Sequence, residues 1–258
     1  MDTIRLKPNE IHFFYSLVEE IKDPLLLDRY RLLISEKEKA KTDRYVFEKD
    51  RHNCLITRSL LRFVLSICTG MAPREIEFIE NAYGKPDLKP GGVPMPLRFN
   101  LSHSGGMTAC ALTLDHEIGV DIEHLHRNVD LSLADRYFTK SEAAYVRNRP
   151  VEERQAAFFD IWTLKESYIK AKGMGLSIEL NAFGFTIDQE TRIFFDPSLD
   201  DAPNQWRFFR FSPVEKYKAA ISVKSPMQNA FNLRVYQCIP FAEIKPVDLD
   251  AQHAVRRA

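Results

Sequence analysis

The chain has 258 residues, with 36 basic and 36 acidic side chains and 45% hydrophobic residues. The hydrophobic fraction supports a folded core and excludes an intrinsically disordered chain. Because the charges balance, there is no overall field for DNA or an anionic membrane, so any anion site has to be local. We therefore expect neither nucleic acid nor a membrane as a partner.

Targeting signals and metal-binding cysteine patterns are not recognised in the sequence. The first 21 residues contain acidic side chains where a signal peptide has an apolar core. No uncharged run approaches the roughly 18 residues that a membrane span requires. The cysteines, at positions 54, 68, 110 and 238, lie far apart without a CxxC pair and are expected to be buried thiols. These features predict a cytoplasmic protein.

Hydrophobic periodicity in the first half predicts helices followed by strands. The Ser35-x-x-Glu38 pattern is typical of a capping box at a helix start. The stretch 83–96 is rich in glycine and proline and is predicted to be a loop. In chain order we predict a strand at 11–18, helices at 24–34, 35–45 and 49–68, and strands at 75–80, 98–104 and 107–114.

The second half repeats this mixture of elements. A second capping box, Thr139 to Glu142, predicts another helix start. The remaining predicted elements are a strand at 118–125, a helix at 154–173, and strands at 182–188, 205–212, 218–224 and 232–239. The predicted fold class is α+β. We expect an N-terminal lobe at 1–114, a C-terminal lobe at 115–245 and a flexible tail at 246–258.

Three carboxylates form the first candidate site. Asp121 and Glu123 alternate along a predicted strand, so their side chains leave the same face. Glu166 lies on the predicted helix, one turn before Lys170. Oxygen donors without histidine or cysteine suit a hard ion such as Mg²⁺. A D-x-E strand and a surface Glu–Lys pair are equally ordinary without a metal, so residue spacing alone leaves both interpretations open.

Polar residues between two apolar strands form a second candidate. In the segment 99–106, Ser102, His103 and the glycines are suited to an anion, although a hydrogen-bonded turn histidine explains the pattern as well. Lys85 lies in a rigid Gly-Lys-Pro loop, and Lys41 belongs to a basic helix face. On local sequence both lysines are ordinary solvated side chains.

Taken together, five segments resemble one family, the surfactin-synthetase-activating type of 4′-phosphopantetheinyl transferase. The most specific are GVDIE and, some forty residues later, WTLKESYIK. The resemblance covers about residues 34 to 223. The five segments are YGKP (83–86), FNLSHSGG (99–106), IGVDIE (118–123), YFTKSE (137–142) and WTLKESYIKAKGMGLS (162–177).

This resemblance implies two similar lobes in a pseudo-twofold arrangement, with coenzyme A as co-substrate and a monomeric enzyme. Asp121, Glu123 and Glu166 match the metal-binding carboxylates, for Mg²⁺ or alternatively Mn²⁺. Glu166 is also implied as the general base, and Lys170 as the contact to the pyrophosphate. The positions that match coenzyme A contacts are Lys41, Tyr83, Gly84, Lys85, Pro86, Ser102, His103 and Lys170.

The implied reaction moves phosphopantetheine from coenzyme A to a serine of an apo acyl or peptidyl carrier protein. The segment 124–138 follows the metal carboxylates and is the predicted docking surface for the carrier. Glu38 and Asn53 depart from the family pattern, because basic residues are frequent at both positions. Two alternatives are another Mg²⁺-dependent phosphoryl-transfer enzyme and a catalytically inactive carrier-binding homologue.

Overall fold

The computed structural model of the protein describes residues 4–188, 190–226 and 230–249. The α-helices in these ranges are α1 (Pro24–Leu33), α2 (Glu36–Asp43), α3 (Glu48–Thr69), α4 (Leu133–Tyr137), α5 (Lys140–Arg147) and α6 (Arg154–Lys172). The strands are β1 (Glu10–Leu17), β2 (Phe78–Glu80), β3 (Pro86–Leu88), β4 (Leu97–Ser104), β5 (Met107–Leu114), β6 (Ile118–His124), β7 (Phe183–Ile187), β8 (Thr191–Phe195), β9 (Trp206–Phe211), β10 (Tyr217–Lys224), β11 (Asn232–Ile239) and β12 (Glu243–Val247).

The elements form two compact units, which confirms a mixed α+β architecture. The first unit runs to Asp115 and resumes at Asn232, and the second spans His116–Phe231. The sequence predicts a single C-terminal lobe at 115–245. In the structure β11 and β12 instead extend the sheet of the first unit, because β11 pairs with β1 in parallel. Pro246 and Val247 of the predicted tail belong to β12, and residues 250–258 lie outside the described ranges.

The first unit is built on a five-stranded sheet in the order β12-β11-β1-β5-β4. β1 is buried along nearly its whole length, as expected for a central strand covered on both faces. The long helix α3 packs against this sheet and contributes Leu60, Phe63 and Val64 to the core. It ends at Gly70, whose φ of 75° gives the left-handed cap that glycine adopts without steric cost.

The second unit contains the three-stranded sheet β6-β10-β9 and the hairpin β7–β8. Helix α6 packs against β6 and β10. Its apolar residues Leu164, Tyr168 and Ile169 join a core formed with the β7–β8 hairpin and Trp206. Helix α6 is buried over most of its length, including at the charged residues Asp160 and Lys165.

Both predicted capping boxes are confirmed. The Ser35 and Thr139 side chains each accept a hydrogen bond from the backbone three residues later, and Glu38 and Glu142 bond back to the cap residue. This geometry satisfies backbone N–H groups that a helix start leaves without partners. The signal is local, which is why the sequence was sufficient to predict it.

Some elements differ from the prediction. The segment 83–96 was predicted as loop but contains β3, which pairs with β2. Helix α4 and strands β8 and β12 were not predicted. The four cysteines are free thiols, and Cys54 is the one that is only partly buried. Within the described ranges, no helix has the length and hydropathy needed to cross a bilayer.

At Gly119 the backbones of β6 and α6 approach each other closely. A Cβ at this position would collide with the carbonyl oxygen of Ser167 and the amide nitrogen of Ala171. Both are backbone atoms of a helix, so the clash is relieved only if α6 shifts. We expect Gly119→Ala to destabilise the protein by roughly 1–3 kcal/mol or more. Urea unfolding measures this, and an unchanged midpoint would contradict the close packing of α6 on β6.

Candidate active site

The second unit brings four predicted site residues together. Asp121 and Glu123 lie on β6 and are buried. Glu166 and Lys170 lie one turn apart on α6, the helix that packs on β6. Lys170 contacts Asp121, and Glu166 lies near enough to Asp121 and Glu123 for their charges to act on it.

Each strand carboxylate has a basic partner. The Lys170 ammonium Nζ lies 2.6 Å from Asp121 Oδ1, and Arg127 Nη1 lies 2.5 Å from Glu123 Oε1. Lys170 is about one-third exposed, whereas Arg127 is more than half exposed. Two buried carboxylates on one strand face repel each other, and these cations compensate that repulsion.

The charges of Asp121 and Glu123 both act on the third carboxylate, Glu166. Burial raises the pKa of Glu166 above its ordinary value, and the charges of Asp121 and Glu123 raise it further. The Lys170 ammonium acts in the opposite direction and lowers this pKa. A carboxyl group with a raised pKa, next to a cation, has the properties of a general base.

The three carboxylates fit a divalent metal ion by the chemistry of their donor atoms. Asp121, Glu123 and Glu166 offer oxygen donors, which Mg²⁺ prefers. In the described part of the chain, no three His, Cys, Asp or Glu side chains are arranged closely enough to hold an ion. The contacts to Lys170 and Arg127 show that Asp121 and Glu123 stand where positive charge is stabilised. The donor set is suited to a divalent cation that would take over this neutralising role.

Further polar contacts attach α6 to its sheet. Ser167 Oγ and Ser222 Oγ of β10 are 2.7 Å apart. Asp160 pairs with Arg210 of β9 at 3.0 Å and with Lys218 of β10 at 3.1 Å. Sequence reasoning missed the Asp160 cluster. Its one local signal is an acid within the apolar run FFDIW.

Apart from Lys170, the predicted coenzyme A contacts lie in the first unit. Lys41 is exposed on α2. Tyr83, Gly84 and Lys85 lie in the turn between β2 and β3, and Pro86 begins β3. The Asn81 side chain accepts hydrogen bonds from Tyr83 N and Lys85 N at 2.9 Å. Gly84 has φ of 81°, so the turn requires a residue that tolerates the left-handed region. The turn leaves the Tyr83 ring exposed.

Ser102 and His103 are neighbours on β4 and point to opposite faces of the sheet. Ser102 is buried, whereas the side chain of His103 is exposed. His103 lines a small cavity together with Asn53, Thr57 and the Gly105–Gly106 turn. Asn53, one of the departures from the family pattern, therefore lies next to a residue expected to contact phosphate.

Glu38, the other departure, has a structural partner. Its Oε2 atom is 2.7 Å from Arg62 Nη2 and also accepts the capping hydrogen bond from Ser35 N at 2.8 Å. The carboxylate is buried between α2 and α3. It is therefore held by the fold rather than presented to an anionic ligand.

A larger cavity of about 740 Å³ lies among α1, α2 and the start of α3. Its basic lining includes Arg31 and Lys39, which already pair with Asp28 and Glu36. None of the residues expected to contact coenzyme A lines it. Size alone does not assign it a function.

The predicted docking segment follows β6. Its apolar residues, including Leu125, Val129 and Leu131, pack against the core around α5 and α6. Gln155 of α6 donates hydrogen bonds to the carbonyl oxygens of Leu125 and Arg127. The segment is thus anchored beside the carboxylates, with the Arg127 side chain on Glu123.

Comparison with known proteins gives consistent matches. A model described as 4′-phosphopantetheinyl transferase superfamily matches residues 117–222, and one described as 4′-phosphopantetheinyl transferase, N-terminal, matches 27–114. The 4′-phosphopantetheinyl transferase HetI of Nostoc sp. is 33% identical, over 74% of this chain and 78% of its own. The transferase gsp of Aneurinibacillus migulanus is 32% identical over 68% and 73%, and Sfp of Bacillus subtilis is 30% identical over 77% and 86%. The chain belongs to the 4′-phosphopantetheinyl transferase superfamily.

Proposed function

We propose that this protein transfers the 4′-phosphopantetheine moiety of coenzyme A to a serine of an apo acyl or peptidyl carrier protein. The other product is 3′,5′-ADP. Family membership supports the reaction, since the relatives that match most of the chain are named as 4′-phosphopantetheinyl transferases. The observation that carries the proposal is the grouping of Asp121, Glu123, Glu166 and Lys170 in one unit.

Asp121, Glu123 and Glu166 would hold Mg²⁺, with Mn²⁺ as the alternative ion. When bound, the ion would supply positive charge to the pyrophosphate oxygens of coenzyme A. The oxygen-only donor set supports this choice over zinc or copper. It also gives a reason for three mutually repelling carboxylates at a largely buried position.

Glu166 and Lys170 would have separate roles in the transfer step. Glu166 would accept the proton of the carrier serine while the serine oxygen forms a bond to the β-phosphorus. The bond from that phosphorus to the bridging oxygen breaks, and 3′,5′-ADP leaves with the electron pair. Lys170 would stabilise the charge that develops on the phosphoryl oxygens. Positioning and electrostatics provide most of the acceleration in reactions of this type.

The nucleotide end of coenzyme A would be bound by the first unit. Lys41, Ser102 and His103 would contact its phosphates, and the segment from Tyr83 to Pro86 would border the adenine. The exposure of Lys41, Tyr83 and His103 supports this assignment. A pseudo-twofold arrangement of the lobes, a monomeric state and a cytoplasmic location complete the proposal.

A mass measurement tests the function directly. Apo carrier proteins of fatty-acid and peptide synthesis are incubated with the enzyme, coenzyme A and Mg²⁺, then weighed intact by mass spectrometry. We expect a gain of one phosphopantetheine, lost when EDTA is added. An unchanged carrier, with coenzyme A still bound by the protein, would favour the inactive carrier-binding alternative. A melting temperature raised by DNA rather than by coenzyme A would favour the other phosphoryl-transfer alternative.

A further inference from the structure

A fully buried ion pair lies directly beside the candidate base. Lys165, the residue before Glu166, has its Nζ atom 2.9 Å from Glu142 Oε2, and neither side chain is exposed. The same ammonium donates to the carbonyl oxygens of Leu180 and Phe183 at 2.8 and 2.6 Å. All of its hydrogen-bonding capacity is therefore used inside the protein.

Glu142 is equally constrained. Its Oε2 atom accepts the capping hydrogen bond from Thr139 N at 2.8 Å, and its Oε1 atom accepts one from Phe185 N at 2.8 Å. Through Glu142 and Lys165, the start of α5 and the strand β7 are connected to α6. Buried ion pairs of this kind add little stability compared with apolar residues of similar size. What such a pair provides is a fixed relative position of the elements it connects.

The pair holds α6 on the side opposite to its sheet. Ser167 contacts β10, and it is about 200° around the helix from Lys165. Glu166 lies between these two anchors, about 100° from each. With a helix radius of about 5–6 Å including side chains, a roll of about 10° would move the Glu166 side chain by about 1 Å. Displacements of that size cost roughly a hundredfold in rate.

We propose that Lys165 and Glu142 are positioning residues, whose buried ion pair fixes the rotation of α6 so that Glu166 faces Asp121 and Glu123. The inference rests on the proposed function for the role of Glu166. Neither residue needs to touch coenzyme A or the carrier. Loss of the pair would instead change how well the three carboxylates hold a divalent ion and accept the proton.

The first unit offers a matched control. Glu38 closes a capping box with Ser35 and forms a buried pair with Arg62 of α3, as Glu142 does with Thr139 and Lys165. Arg62 likewise donates to backbone carbonyls, at Pro73 and Ile76. No proposed reacting group adjoins Arg62. Both pairs therefore combine a capping box with a buried ion pair. They differ because only the Glu142–Lys165 pair lies next to a proposed reacting group, Glu166.

The test compares Glu142→Gln with Glu38→Gln. Glutamine also closes a capping box, so each variant removes a charge and keeps the cap. Both variants should lose melting temperature. Glu142→Gln should also lower kcat and weaken Mn²⁺ binding in the presence of coenzyme A by about 10–100-fold, with a smaller change in KM. Glu38→Gln should leave kcat and the Mn²⁺ affinity at wild-type values.

A double variant distinguishes the effect of the ion pair on the position of α6 from its effect on stability. Glu142→Gln combined with Lys165→Met removes both buried charges and should regain melting temperature without regaining kcat or Mn²⁺ affinity. If Glu142→Gln does not fold, this double variant takes its place, compared with Glu38→Gln combined with Arg62→Met. Equal kcat and Mn²⁺ affinity in the matched variants would overturn the inference, as would a wild-type protein that binds no Mn²⁺.

The outcomes also separate this inference from the proposed function. Mn²⁺ affinity, measured by calorimetry with coenzyme A, requires no carrier protein. If the wild-type protein modifies no carrier, the proposed function fails while the Mn²⁺ comparison still decides the positioning role. If the wild-type protein does modify a carrier and Glu142→Gln behaves like Glu38→Gln, only the positioning role fails.

Discussion

Glu166→Gln should abolish phosphopantetheine transfer and at the same time raise the melting temperature of the metal-free protein at pH 7. Loss of the base and of one metal ligand should lower kcat by about 10³-fold or more. The gain in stability follows from charge. Burial, Asp121 and Glu123 raise the pKa of Glu166, with Lys170 opposing them. Ionised Glu166 is thus costly in the folded state at neutral pH, and glutamine removes this cost.

The direction of the Glu166 pKa shift determines how the stability gain of Glu166→Gln depends on pH. A carboxyl whose pKa is raised by folding contributes stability below its unfolded pKa, and this contribution is lost as pH rises through the folded pKa. The advantage of Glu166→Gln over wild type should therefore be largest at pH 7 and shrink towards about pH 4, near the unfolded pKa of glutamate. Calorimetric scans in EDTA from pH 4 to 8 measure it.

The control is Glu152→Gln, which neutralises an exposed carboxyl just before α6. It should change neither the melting temperature nor the transfer rate appreciably. Addition of Mg²⁺ should raise the melting temperature of the wild type more than that of Glu166→Gln, because a bound ligand stabilises the folded state. A Glu166→Gln protein that melts lower than wild type at pH 7 would contradict the assigned electrostatics.

Lys170→Met should have the opposite effect on stability and a comparably large effect on activity. Without the ammonium on Asp121, the carboxylates lose a neutralising partner, and the metal-free protein should be destabilised by roughly 1–3 kcal/mol. Loss of the charge proposed to face the phosphoryl oxygens should lower kcat/KM by about 10²–10³-fold. Thermal unfolding in EDTA and the carrier mass assay give the two quantities.

Lys172→Met is the matched control on the same helix. Lys172 Nζ forms a comparable ion pair with Asp201 at 3.0 Å, and its side chain is 21% exposed against 29% for Lys170. Its loss should lower the melting temperature but preserve transfer. Equal losses of activity in the two variants would show that a lysine–aspartate pair is needed only for folding. A fully active Lys170→Met protein would remove Lys170 from the proposed chemistry.

Local patterns explain what was predicted correctly. Asp121 and Glu123 share a strand face because side chains alternate with a period of two. The capping boxes at Ser35 and Thr139 involve contacts only three residues apart. The long helices end at glycines that adopt the left-handed conformation, Gly70 and Gly173. Each signal depends on residues within one or two turns, so no knowledge of the fold is required.

The elements that were missed lack such signals. β12 is an edge strand, contains Pro246 and is mostly exposed, so it has no apolar alternation. β3 lies in a glycine- and proline-rich stretch and is only three residues long. β11 was predicted as a strand but assigned to the wrong lobe. Its parallel partner β1 lies more than two hundred residues earlier, and strand partners at that distance are decided by the packing of the whole sheet.

The sequence by itself determined the family resemblance, the mixed α+β class and the residues proposed to act on coenzyme A. Only the tertiary structure paired Glu38 with Arg62, Glu142 with Lys165 and Asp121 with Lys170. The physical reason is distance along the chain. A charge close in sequence reveals its partner through helix or strand periodicity, whereas a buried charge finds its partner on whichever element the fold brings beside it.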